Sequence, residues 1–211
     1  MAQDIGFVHR FVPGEKNDQT TLLLLHGTGG DEDALIPLGR MLRESAALLS
    51  PRGKVLEDGA PRFFRRFQEG VFDEEDLVNR THELAEFVER AVSEYDLDPG
   101  HVFAVGFSNG ANIAGSLLLL YPSLLAGAVL LRAMVPFEPK EMPDLSGTPV
   151  YLAAGSSDAI VPQENSERLA ELLQEAGAEV ELDWQPRGHD LGSGEIKAAR
   201  NWLAVATARA S

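Results

Sequence analysis

The sequence contains no cysteine, which excludes a disulfide framework, a thiolate metal site and a cysteine nucleophile. Long apolar runs are also missing: stretches such as "AGSLLLLY" and "TLLLLH" fall far short of the roughly 18 residues a membrane helix needs. Cationic residues are scarce. Eighteen Lys and Arg against 33 Asp and Glu give a net charge of −15, which repels nucleic acid and anionic membranes and argues against both as partners. The N-terminal "MAQDIGFVHRF" has neither the basic start nor the apolar stretch of a secretory signal, so the expected compartment is the cytoplasm. No internal repeat, low-complexity tract or linker interrupts the 211 residues, and a single domain over 1–211 is expected.

Short apolar runs alternate with amphipathic helical stretches, the signature of a parallel sheet covered by helices. Strands are predicted at Ile5 to Val12, Thr21 to His26, Ala46 to Ser50, His101 to Phe107, Ala126 to Leu131, Pro149 to Ala154 and Glu179 to Asp183, each bounded by Gly, Pro or Asp. From Leu77, the residues Leu84, Val88, Ala91, Val92 and Tyr95 share one helical face, and the preceding "FDEED" sets carboxylates where the macrodipole favours them. Asn109 to Tyr121 is apolar almost throughout, as a helix buried against the sheet would be. Pro162 to Ala176, ending at Gly177, and Ser193 to Ala208 are the remaining helices.

Four segments carry chemistry. "VFAVGFSNGANIAG" holds Gly106-Phe107-Ser108-Asn109-Gly110, a G-x-S-x-G pattern with a strand running in and a buried helix running out. That is the context of a nucleophile elbow, a strained turn that lifts a serine clear of the sheet. A serine hydroxyl needs a base to take its proton. Of five histidines only His189 follows Ser108, in the glycine-bracketed loop "QPRGHDLG"; His9, His26, His82 and His101 read as structural. An orienting acid is expected between the two and directly after a strand, and "PVYLAAGSSDAIVP" supplies Asp158 there. Taken alone, Asp158 would read as a turn or N-cap aspartate.

The early "LLLLHGTGGDEDAL" is a strand feeding a glycine-rich turn, suited to donating a backbone N–H to a developing oxyanion. Thr28 is the candidate donor there, and Asn109 the second. A phosphate-binding loop would require the Lys-Ser/Thr ending that this turn lacks. Asp31, Glu32 and Asp33 are expected to open the following helix rather than to hold a metal.

With these segments placed, the chain resembles the carboxylesterase/phospholipase family of α/β-hydrolases, which includes acyl-protein thioesterases. "LHGTGGDE", "GFSNGA", "GSSDAIVP" and "RGHDL" follow the family's order and spacing over nearly the whole chain. The resemblance implies an α/β-hydrolase fold: a mostly parallel central sheet with helices on both faces and no large cap domain. It implies Ser108 as nucleophile, Asp158 as acid, His189 as base, and the N–H groups of Thr28 and Asn109 as oxyanion hole, with no cofactor and no metal. Thr28, Asn109 and Ala154 stand where typical thioesterases have Leu, Gln and His. With them the chain looks more like a bacterial branch of small esterases, some labelled hydroquinone-stress hydrolases. The expected activity is hydrolysis of small carboxylic esters, aryl esters among them. Thioesterase or lysophospholipase-type hydrolysis is the alternative, and non-catalytic binding of a small molecule is the rival of another class. The expected partner is a small-molecule ester, with homodimerisation left open.

One stretch fits no regular template. "SPRGKVLEDGAPRFFRRF" (Ser50 to Phe67) is basic and aromatic in an acidic chain, and it begins where a strand reaches the ligand-binding edge of the sheet. It is expected to be ordered, with Phe63, Phe64 and Phe67 as an apolar pocket wall and Arg65 or Arg66 meeting a polar substrate group. The alternative is that the phenylalanines pack on the body while the arginines pair with carboxylates such as those of "FDEED". Val161 and Leu191 complete the candidate substrate contacts.

Overall fold

The structure, a computed structural model, describes residues 5–210. Met1 to Asp4 of the N-terminal stretch, and Ser211, therefore lie outside the described residues. In chain order come β1 (His9–Val12), β2 (Thr21–Leu25), α1 (Ile36–Leu42), β3 (Ala47–Pro51), β4 (Val55–Glu57), β5 (Ala60–Arg62), β6 (Arg66–Gln68) and β7 (Val71–Phe72). They are followed by α2 (Glu74–Glu94), β8 (Val102–Phe107), α3 (Asn109–Leu120), β9 (Gly127–Leu131), β10 (Pro149–Gly155), α4 (Gln163–Glu175), β11 (Glu179–Gln185) and α5 (Ser193–Arg209).

Seven strands form one sheet in the order β1-β3-β2-β8-β9-β10-β11. β1 runs antiparallel to β3, and every other pairing is parallel. Continuous runs such as "TLLLL" are explained by burial on both faces. Leu23 and Leu25 pack with α2, α3 and α4 on one side, while Leu22 and Leu24 pack with α1 and α5 on the other. α2 is capped by Asp73, whose side chain accepts the Asp76 N–H, and buries Leu77, Leu84, Val88 and Ala91. α3 is buried along nearly its whole length, as its composition demands.

Several boundaries depart from the sequence reading. Ile5 and Phe7 are buried in the core ahead of the strand, which starts only at His9. His101 belongs to a short 3-10 turn over Pro99–His101, capped by Asp98, so β8 starts at Val102. Asp31, Glu32 and Asp33 do not open a helix. Asp31 accepts the Asp33 N–H in a local turn, Glu32 pairs with Arg52, and α1 begins at Ile36. Side chains that bond locally favour turns over helix, which accounts for the shift. Ser50 to Phe67 is ordered: β4 and β5 form one short hairpin, and β6 with β7 begins a second.

Candidate active site

Ser108 sits between β8 and α3 with φ 52° and ψ −116°, a left-handed conformation that costs a non-glycine residue on the order of 1–3 kcal/mol. Two features hold it there. Its N–H donates to the Leu131 carbonyl at 2.9 Å, tying the turn to β9. Gly110 lets the start of α3 lie against β2: a Cβ there would fall 1.9 Å from the Leu25 carbonyl oxygen.

The strand ends bring three distant residues together. His189 Nε2 lies 2.9 Å from Ser108 Oγ, and its Nδ1 lies 2.8 Å from Asp158 Oδ2. The Asp158 side chain is fully buried, and its other oxygen accepts the N–H groups of Ile160 (2.8 Å) and Val161 (3.1 Å). The carboxylate thus performs the turn role and faces the imidazole at once. With Nδ1–H donating to Asp158, Nε2 is the ring's acceptor and faces the serine hydroxyl. Phe107 packs on the imidazole with ring centres 5.4 Å apart.

Thr28 and Asn109 line the same cleft as Ser108, together with Arg62, Arg66, Phe72, Met134, Ile160 and Val161. Its volume is about 30 Å³, far below the roughly 300–1,000 Å³ of pockets that enclose drug-sized ligands. The loops carrying Thr28 and Asn109 are fastened to the hairpin segment. The Gly53 N–H donates to His26 Nε2 (2.9 Å), and Arg62 Nη1 donates to Thr28 Oγ1 (2.8 Å). The Gly29 N–H donates to Pro61 O (2.9 Å), and the Phe63 N–H to Asn109 Oδ1 (2.7 Å). Burial pushes His26 below the ordinary histidine value. Its Nδ1 lies 2.7 Å from Gly27 O, so the ring serves as a neutral bridge, donating through one nitrogen and accepting through the other.

The expected pocket wall is corrected. Phe63 and Phe64 are 2% and 0% exposed and belong to the core, Phe63 beside the His26 ring and Phe64 edge-on to Phe72. Arg65 is exposed and pairs with Asp73 and Asp76 of "FDEED", away from the cleft. Leu191 packs against the core on the α1 and α5 side of the sheet. Phe67 is 75% exposed and outside the cleft lining. Arg66 and Val161 do line the cleft. The apolar wall comes instead from Phe72, Met134, Ile160 and Val161.

Arg62 is the unexpected polar lining. Its buried guanidinium, pushed below the ordinary arginine value by desolvation and then by the Arg66 charge, lies 3.1 Å from Glu57, which also holds Arg66. Arg132 and Glu195, both fully buried beside the His189 loop, were also missed. The available signal was a lone arginine in the apolar run "AVLLRAMVPF".

A strained serine after a parallel strand, hydrogen-bonded to a loop histidine on a seven-stranded sheet flanked by helices, is the architecture of serine ester hydrolases of the α/β-hydrolase fold. Residues 8–207 match the family described as Phospholipase/Carboxylesterase. The protein belongs to that family. It is 50% identical over 181 residues to MhqD of Bacillus subtilis (strain 168), covering 86% of this chain and 90% of that one. The crystal structure of the Bacillus cereus carboxylesterase superposes with a TM-score of 0.94 at 47% identity, over 96% of each chain. The structure of YahD with malic acid gives a TM-score of 0.89 at 32% identity, over 95% of this chain and 99% of that one. Among the described residues, no helix is long and apolar enough to cross a membrane, and no group of three or more His, Asp or Glu is arranged to hold a metal.

Proposed function

We propose that the protein is a carboxylesterase for small carboxylic esters, aryl esters included, working through Ser108, His189 and Asp158. The observation that carries this reading is the unbroken chain of hydrogen bonds from Ser108 Oγ through the imidazole to Asp158. His189 Nε2 takes the hydroxyl proton as Ser108 Oγ attacks the ester carbonyl, and Asp158 stabilises the imidazolium that forms. The oxyanion is met by the backbone N–H groups of Thr28 and Asn109. Collapse of the tetrahedral adduct breaks the ester C–O bond. The alcohol leaves with the proton from His189, and the acyl group stays on Ser108. Water, deprotonated by the same imidazole, then hydrolyses the acyl-enzyme.

The restriction to small groups is supported by the narrowness of the cleft beside Ser108. Arginines among its lining residues favour esters that carry a polar or anionic substituent. Malic acid in the related YahD structure is in keeping with that preference.

The test is a series of p-nitrophenyl esters from acetate to palmitate, with aryl acetates alongside, assayed on wild type and Ser108→Ala. Activity should peak at short acyl groups and fall by on the order of 10⁴-fold or more in the variant. A fluorophosphonate probe should label wild type at Ser108 only. Near-full activity in Ser108→Ala would overturn the assignment, and a peak at palmitate would overturn the small-substrate reading.

A further inference from the structure

Immediately after β9, Arg132 takes φ 58°, a left-handed conformation in a non-glycine residue. Its side chain is fully buried. An arginine in such a place needs partners for its fork of five N–H donors, and the identity of those partners is informative. Nε donates to the carbonyl of Gly188 at 2.8 Å, and Nη2 donates to the carbonyl of Asp190 at 2.8 Å. These are the residues on either side of His189. One rigid guanidinium therefore holds both peptide carbonyls that bracket the imidazole.

The other contacts extend the clamp to the acid. Nη1 donates to Ala153 O at 3.3 Å, on the strand that leads to Asp158. Nε lies 3.9 Å from Asp158 Oδ2, the oxygen that faces His189 Nδ1. Glu195, near the start of α5, closes the fork: one of its oxygens accepts from Nη1 and the other from Nη2 at 3.1 Å. The Glu195 oxygen that faces Nη2 also accepts the Gly192 N–H at 3.2 Å, fixing the chain three residues beyond His189. Gly155 leaves the passage open, since a Cβ there would fall 2.5 Å from Gly188 O and 3.2 Å from Arg132 Nε.

A buried ion pair kept for stability alone is a poor explanation. Well-packed apolar residues of similar volume often stabilise as well or better than such a pair, and stability gives no reason to direct two donors at the carbonyls flanking one histidine. We propose that Arg132, oriented by Glu195, is a positioning residue that holds the His189 loop so that the imidazole meets Ser108 and Asp158 together. The proposal rests on the reading of those three residues as the catalytic set. Arg132 touches no reacting atom in it and acts through the loop. A loop free to shift by about 1 Å would misalign the proton transfer, a displacement that can cost on the order of 10²-fold in rate.

Two variants test it. In Arg132→Met/Glu195→Leu, apolar side chains replace both charges, so the core is refilled while the clamp is lost. In Arg132→Lys the charge remains, but a single ammonium cannot fork across both carbonyls. Each is assayed on p-nitrophenyl acetate, with active sites counted by fluorophosphonate titration, alongside thermal unfolding and the far-downfield proton resonance of His189 Nδ1–H. We expect folded double variant with kcat per active site down by about 10²-fold, KM unchanged and the downfield resonance lost. Arg132→Lys should show the same pattern to a lesser degree. A folded double variant with wild-type kcat and resonance would overturn the proposal. If the double variant does not fold, Arg132→Lys decides, and full kcat there overturns it equally. Ser108→Ala run in parallel separates the two levels: activity surviving in it would strike the catalytic set itself, whereas an inactive Ser108→Ala beside a fully active Arg132→Lys would strike only the clamp.

Discussion

Replacing Phe64 by alanine separates a core residue from a pocket wall. The ring is fully buried, packed edge-on against Phe72 at 5.1 Å between centres and 82° between planes. The Phe64 carbonyl that accepts Arg62 Nε at 3.2 Å is backbone, and survives the substitution. What is lost is a ring and its packing, worth about 3–5 kcal/mol when a buried phenylalanine becomes alanine. That is a large part of the roughly 5–15 kcal/mol that holds a domain folded. For a chain of this length each kcal/mol moves the melting temperature by about 2–4 °C, so the expected fall is about 6–20 °C. The assay pairs thermal unfolding by circular dichroism with the p-nitrophenyl ester series, run well below the variant's transition. The melting temperature should drop while the ranking of esters by kcat/KM stays as in wild type. An unchanged melting temperature with an altered ranking would refute the core assignment and return Phe64 to the substrate.

Gly110→Ala should give little soluble folded protein, because its Cβ would meet the Leu25 and His26 carbonyl oxygens at 1.9 and 2.6 Å; a soluble, wild-type-like circular dichroism spectrum would contradict the close approach. Asp158→Asn should lower kcat by about 10⁴-fold by presenting the wrong partner to His189 Nδ1, with the steady-state rate on p-nitrophenyl acetate as the measure and a loss under tenfold as the refutation. His26 makes stability depend on pH. Burial lowers its folded-state pKa, so below about 6.5 the unfolded chain binds a proton that the folded chain does not. The contribution is complete above about 6.5 and is lost as pH falls from there toward the depressed folded value, with a slope of up to about 1.4 kcal/mol per pH unit. Urea unfolding of wild type and His26→Gln at pH 7.5 and 5.5 should show the gap between them narrowing at the lower pH, and a constant gap would refute the neutral-bridge reading.

Much of this arrangement was legible because local pattern and chain order carry it. "TLLLL" and the apolar α3 announce elements buried on two faces, and G-x-S-x-G between them marks a strand-to-helix turn. Asp158 and His189 could be named as candidates because a nucleophilic serine in that turn would need a base, and the base an acid, in that chain order. Periodicity tells which way a side chain faces only inside regular structure. In Ser50 to Phe67 it had nothing to act on, and a phenylalanine bound for the core looks the same in sequence as one bound for a pocket. The Arg132–Glu195 pair spans 63 positions and leaves no local trace, although an unaccompanied arginine in an apolar run was a clue. Strand order lay beyond the sequence for a similar reason, since each pairing joins segments whose contact depends on the sheet as a whole.

The hairpin segment has a consequence for turnover. Because Gly53, Pro61, Arg62 and Phe63 bond to His26, Gly29, Thr28 and Asn109 respectively, both loops carrying the proposed oxyanion donors are bound to a common support before any substrate arrives. The orientation of those peptide dipoles is then set when the chain folds and need not be remade in each catalytic cycle. Folding and rate share one set of hydrogen bonds, so substitutions that loosen the hairpin should register as slower turnover at temperatures far below those at which the chain unfolds.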